Sequence, residues 1–234
     1  MLKNDLELRN PMRILGQTGV APLPPGGFGA VLARAGVGKT AFLVQLALDN
    51  LLQARKVMHI SLNDPVQKVS LWYREVLAAA AAHQTARETT SLWESIQPHL
   101  FIMTFQVEGF SVPKLEERVT DLTAQGIFSP QLLLIDGLPF EDATIAPMLR
   151  AFKALSERLG VPAWFAVRTH RHQAPAENGL PLQIEPVADL FEVLWQLNPE
   201  GASVHVRALK GGPRGTGEIP LVLDPATMLV RDVR

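Results

Sequence analysis

The sequence predicts an α/β fold: a mostly parallel central sheet flanked by helices, with an antiparallel β extension at the C-terminal end. Three observations carry this expectation. Phe28-Gly29-Ala30-Val31-Leu32 is a short apolar run that passes through a glycine-containing loop into a helical pattern over 41–52. Leu132-Leu133-Leu134-Ile135-Asp136 is a second such run, suited to a strand buried on both faces, and it ends in an acid. Beyond residue 190, four strand-like segments follow one another with turns but no helices between them.

Residues 1–27 read as a lead-in ending in Pro22-Leu23-Pro24-Pro25-Gly26-Gly27, where prolines remove N–H donors and glycines favour turns. After the first strand, Ala33-Arg34-Ala35-Gly36-Val37-Gly38-Lys39-Thr40 fits the phosphate-cradling P-loop pattern, Walker A, with Ala33 where the first glycine commonly stands. Consecutive N–H groups in such a loop form an anion nest, and the helix behind it points its positive end at the same place. Gly36 and Gly38 let the backbone approach the ligand. In this pattern Lys39 reaches the terminal phosphates and Thr40 the magnesium ion.

Residues 56–62 read as the second strand. Asn63 or Asp64 is then expected to cap a helix with Pro65 in its first turn, and the helix runs over about 66–82. Residues 83–99 are polar around Trp93 and Pro98 and read as a broken helical connection. A third strand covers 100–105, and a helix over 113–125 shows apolar Leu115, Val119 and Leu122 at three- and four-residue intervals, with Gly126 as its stop. The run ending in Asp136 would deliver a carboxylate to the carboxyl edge of the sheet, where ligands of open α/β sheets bind. An acid so placed, the Walker B position, holds magnesium through water.

A helix over 146–159 and a strand over 161–167 come next, ending in Arg168-Thr169-His170-Arg171-His172. A loop rich in Pro, Gly and Gln extends to about residue 186, and the closing strands are expected over 190–197, 203–209, 218–223 and 228–233.

Composition narrows the class. With 234 residues the chain can bury one sizeable core, which favours one domain over 1–234. A net charge of −1 provides no global field for nucleic acid or an anionic membrane. The absence of cysteine excludes disulfides and thiolate metal sites. A polar N-terminus and the lack of a long apolar run make a cytoplasmic protein the default, with no membrane partner.

The order of these motifs, with Gly212-Pro213-Arg214-Gly215-Thr216-Gly217 and Leu223-Asp224-Pro225 near the end, resembles the RecA-like ATPases. The branch it is most similar to contains the clock ATPase KaiC and the ATPase domain of the replicative helicase DnaB, and the likeness spans about residues 16–230. It implies a single RecA-like core that binds ATP and Mg2+ and assembles with its own copies or with a related RecA-like subunit. Lys39, Thr40 and Asp136 match the family's phosphate and magnesium positions. Where relatives end the second strand in a glutamate that activates water, this chain has Asn63, which can orient a water but cannot take its proton. Asp64 beside it could substitute, although neighbours on a strand point to opposite sides and a helix-capping role competes.

The resemblance further places Trp72 or Tyr73 near adenine, and Thr169 or His170 at a γ-phosphate-sensing position, where a structural histidine is an equal reading. It sets Lys210 in place of a finger arginine that completes a neighbour's site, with Ala208 replacing a second basic residue. Arg207 and Arg214 are further candidates. It therefore implies Mg-ATP binding with weak or regulated hydrolysis. A non-enzymatic nucleotide-binding scaffold or regulator and a DNA-dependent recombination or replication ATPase stand as alternatives. Nucleic acid is not favoured, because the loop over 137–147 carries Glu141 and Asp142 and no basic residue, and Arg168, Arg171, His170 and His172 share their loop with Glu177 and Glu185. The lack of an Asn-Lys-x-Asp stretch favours ATP over a guanine nucleotide.

Overall fold

The computed structural model describes residues 23–170, 173–212 and 215–233. Its elements are β1 (Phe28–Ala33), α1 (Lys39–Leu52), β2 (Val57–Ser61), α2 (Val66–Ala80), α3 (Ala86–Ile96), β3 (Leu100–Thr104), α4 (Val112–Ala124), β4 (Leu132–Asp136), α5 (Ile145–Leu159), β5 (Ala163–Arg168), β6 (Val193–Glu200), β7 (Ser203–Gly212), β8 (Gly215–Leu223) and β9 (Val230–Asp232). The strands form one sheet in the order β3-β2-β4-β5-β1-β6-β7-β8-β9. Strands β1 to β6 pair in parallel, and the hairpins from β6 onward are antiparallel. The first of the four closing strands therefore belongs to the parallel sheet on one side. The described residues between β5 and β6 contain a short 3-10 helix over Glu185–Leu190 and no α-helix, and the connection is long enough to return the chain in the same direction.

Alternation along the strands divides the core into two layers. Val31 and Ala33 of β1 join α1, α2 and α3 on one face, with Phe42, Tyr73, Trp93, Trp164 and Trp195. Phe28, Ala30 and Leu32 join α4 and α5 on the other, with Phe152 and Phe165. Every residue of β1 is buried, which is why its sequence is a continuous apolar run rather than an alternating one. Gly29 is required by packing: a Cβ there would lie 2.7 Å from the Trp164 ring.

The connection over 83–99 holds one regular helix, α3. Thr85 and Glu88 cap it reciprocally, each side chain reaching the other's backbone N–H. The start of α2 corrects an expectation. Neither Asn63 nor Asp64 caps it; Pro65 is the N-cap, in extended conformation, and no side chain bonds the first turn. Asp64 lies one residue too early and instead accepts a hydrogen bond from Lys68 at 2.8 Å. Most of the lead-in, residues 1–22, lies outside the described residues, as do Arg171, His172, Pro213 and Arg214. Its tail is anchored by buried Leu23 and by the Gly27 N–H donating to the Pro24 carbonyl at 2.8 Å. Among the described residues no helix is long and apolar enough to cross a membrane.

One polar pair is sealed in the core. His59 of β2 is fully buried with Nδ1 3.0 Å from the Tyr73 hydroxyl, and its Nε2 has no partner among the described residues. Burial pushes the imidazole down to about 4, against the opposing pull of Asp64. A folded-state pKa below the unfolded value means stability that is complete above about pH 6.5 and lost as pH falls toward and through about 4. Urea unfolding should show the wild type losing about 3 kcal/mol more than the His59→Leu/Tyr73→Phe double variant between those limits. Equal pH slopes would contradict this account.

Candidate functional site

The site begins where β1 ends. After Ala33 the chain turns through Gly36 (φ 76°) and Gly38 (φ 107°) and enters α1 at Lys39. Only glycine suits position 38, since its φ is left-handed and a Cβ would lie 2.5 Å from the Leu223 side chain. Gly36 is open, with nothing within 4 Å of where a Cβ would stand. No side chain caps α1 and no acid lies in its first turn, so the positive end of the helix remains available to an anion.

Lys39 folds back across the loop, and its Nζ donates to the carbonyls of Ala33 at 2.9 Å and Arg34 at 3.0 Å. Burial lowers its pKa; Asp136 opposes that shift and Arg168 adds to it. Thr40 Oγ1 donates to Asp136 Oδ2 at 2.7 Å, joining the first turn of α1 to the end of β4. Burial raises the pKa of Asp136, and the Thr40 hydrogen bond, Lys39 and the Gly137 amide counter it while Asp64 reinforces it.

These groups face a cleft of about 580 Å3, which Ser61, Asn63, Asp64, Glu141 and Arg168 also line. Strand β2 stops at Ser61, whose Oγ accepts from the Asp64 N–H at 3.0 Å. Past that point strand alternation no longer applies, so Asn63 and Asp64 both line the cleft, contrary to the expectation of opposite sides. Asn63 is packed against the backbone after Asp136: a Cβ on Gly137 (φ 96°) would lie 2.6 Å from its Nδ2. Among the described residues no three acidic or histidine side chains gather to hold a metal ion. Thr40, Asp136 and Asp64 would fit a hard divalent cation only when phosphate and water oxygens complete its shell.

Other expected site residues lie elsewhere. Trp72 is half-buried against the α1 layer and Tyr73 is buried on His59, so neither lines the cleft. The Thr169 N–H donates to the Ala33 carbonyl at 3.0 Å. Thr169, His170, Arg34 and Arg207 line a second cleft of about 590 Å3. His170 reaches the first cleft only by its hydrogen bond to Glu141. Lys210 is turned toward its own chain, where Nζ donates to the Ala188 carbonyl at 3.0 Å, and it lines neither cleft. Ala208 is a buried residue of β7 facing the α1 layer, Val37 packs on the same layer, and Arg214 lies outside the described residues.

Arg168 is the cleft residue whose role the motifs did not assign. In β5, Trp164 and Ala166 face one layer and Phe165 and Val167 the other. The same alternation puts Arg168 on the side of Ala166, and both line the cleft.

The Asp136 environment yields a stability test. Because burial raises its pKa, ionised Asp136 costs stability above that pKa and the cost is relieved as pH falls. Asp136→Asn keeps an acceptor for Thr40 and removes the charge, so its melting temperature at pH 7 should equal or exceed that of the wild type. Asp136→Ala strips the acceptor and should lose about 1–2 kcal/mol. A lower melting temperature for Asp136→Asn than for Asp136→Ala would refute this. In comparisons with known proteins, neither a family model nor a curated protein matches the chain.

Proposed function

We propose that this chain is a Mg-ATP-binding RecA-like P-loop ATPase with weak or regulated hydrolysis, working in a homo-oligomer or with a related subunit. The observation that supports it best is the Thr40–Asp136 hydrogen bond at the mouth of the Ala33–Thr40 loop. It brings together the hydroxyl and carboxylate that such a site uses for magnesium, next to a half-buried lysine and the positive end of α1. In this reading the loop amides and Lys39 hold the phosphates, and Thr40 with Asp136 holds the cation, the latter through water. The bound ion supplies positive charge that offsets the phosphates.

Slow turnover follows from Asn63. Its amide can orient a water but cannot accept the proton that attack on phosphorus releases. Asp64 is a carboxylate lining the same cleft, held by Lys68 at 2.8 Å, and is the remaining candidate base. The missing glutamate is also the observation that favours a nucleotide-binding scaffold as the second reading.

Saturating Mg-ATP at about 100 times Kd should stabilise the wild type by about 2.7 kcal/mol, and Lys39→Ala should abolish the effect. An unchanged wild-type melting curve would overturn nucleotide binding. Asn63→Glu should raise phosphate release by about 10²-fold, the lower end of what a positioned base contributes. Release by wild type and Asn63→Glu no greater than by Asp136→Ala would leave the scaffold reading.

A further inference from the structure

Arg168 stands between the two halves of the cleft. The strand order puts β5 between β4, which ends in Asp136, and β1, which opens into the Lys39 loop. Its register sets Arg168 opposite Ala33, the last residue before that loop. The side chain is exposed, and among the described residues it makes no hydrogen bond or ion pair.

The carboxylates around it are engaged. Asp64 is bound by Lys68, Glu141 by His170, and Asp136 by Thr40. Lys39 directs its donors at two backbone carbonyls, so its charge is not neutralised by a direct ion pair either. Among the described residues, then, two cations of the cleft, Lys39 and Arg168, have no direct ion pair. They are close enough that Arg168 depresses the lysine's pKa. Asp136 outweighs that repulsion at Lys39, and an anion bearing more than one charge would be drawn to both cations at once.

Resting on the nucleotide-binding reading, we propose that Arg168 contacts the terminal phosphate of a bound nucleoside triphosphate in cis, giving the chain a preference for triphosphate over diphosphate without a neighbouring subunit. A phosphate chain seated on the loop and extending toward Asp136 passes the end of β5. Only its outermost group comes under Arg168. The planar guanidinium offers two parallel donors to phosphate oxygens. This is a role in recognition, and it differs from the finger expected of Lys210, whose ammonium donates to its own chain's Ala188.

The test is equilibrium binding of Mg-ATP and Mg-ADP to wild type, Arg168→Gln, Arg168→Lys and Lys39→Ala over a protein dilution series, with mass in solution followed in parallel. Wild type should prefer ATP at every dilution. Arg168→Gln should lose about tenfold or more in ATP affinity, as expected for one charge-assisted contact, with ADP affinity within about twofold of wild type. Arg168→Lys should recover part of the loss, and Lys39→Ala should weaken both ligands. Equal effects of Arg168→Gln on ATP and ADP, or none, would overturn the inference and leave nucleotide binding intact. A preference that vanishes on dilution to the monomer would overturn the cis assignment. Failure of the wild type to bind either nucleotide would sink the underlying reading as well.

Discussion

The hydrogen bond from Thr40 to Asp136 joins the start of α1 to the end of β4, two residues 96 positions apart in the chain. The rest of the cleft is arranged around it. Lys39 precedes Thr40 on the helix and folds over the loop, while Gly137 follows Asp136 and leaves room for Asn63. Ser61 pairs with Asp136 across β2 and β4, and the Leu62 N–H donates to the Asp136 carbonyl at 2.9 Å. The end of β2 is therefore held to the same acid that the helix holds.

The two ends of the bond are positioned by buried elements. β1 and β4 are buried strands packed between helices on both faces, and β5 lies hydrogen-bonded between them. Close packing of this kind leaves little freedom for the carboxyl ends to shift relative to each other. Lys39 and Asp136, at the edge of that core, are fixed by their hydrogen bonds. Polar groups that would be costly in an apolar core are instead held by specific partners at its edge.

The carboxylates of the cleft each have a hydrogen-bond partner, whereas Lys39 and Arg168 make no direct ion pair among the described residues. Lys68, His170 and Thr40 each bind one of the carboxylates, while Arg168 binds none among the described residues. Asn63 in the turn after β2 adds an amide where a carboxylate would have added negative charge. This difference underlies the slow turnover in the proposed function.

Local sequence determined much of this protein. The apolar runs at 28–33 and 132–136, the glycine pattern over 36–38, the 3.6-residue periodicity of α4 and the capping pair Thr85 and Glu88 are short-range signals, and the elements form where those signals stand. The meeting of Lys39, Thr40 and Asp136 was legible for the same reason: strands buried on both faces deliver their terminal side chains to one edge of the sheet. Tertiary structure alone decided the rest. Strand order placed Arg168 between Asp136 and the loop, the end of β2 at Ser61 turned both Asn63 and Asp64 into the cleft, and the Ala188 carbonyl drew Lys210 inward. It also made β6 a parallel partner of β1 and sent Thr169 and His170 to the second cleft. Each of these depends on contacts between residues distant in the chain, and the local pattern of any one segment does not specify its neighbour across the sheet.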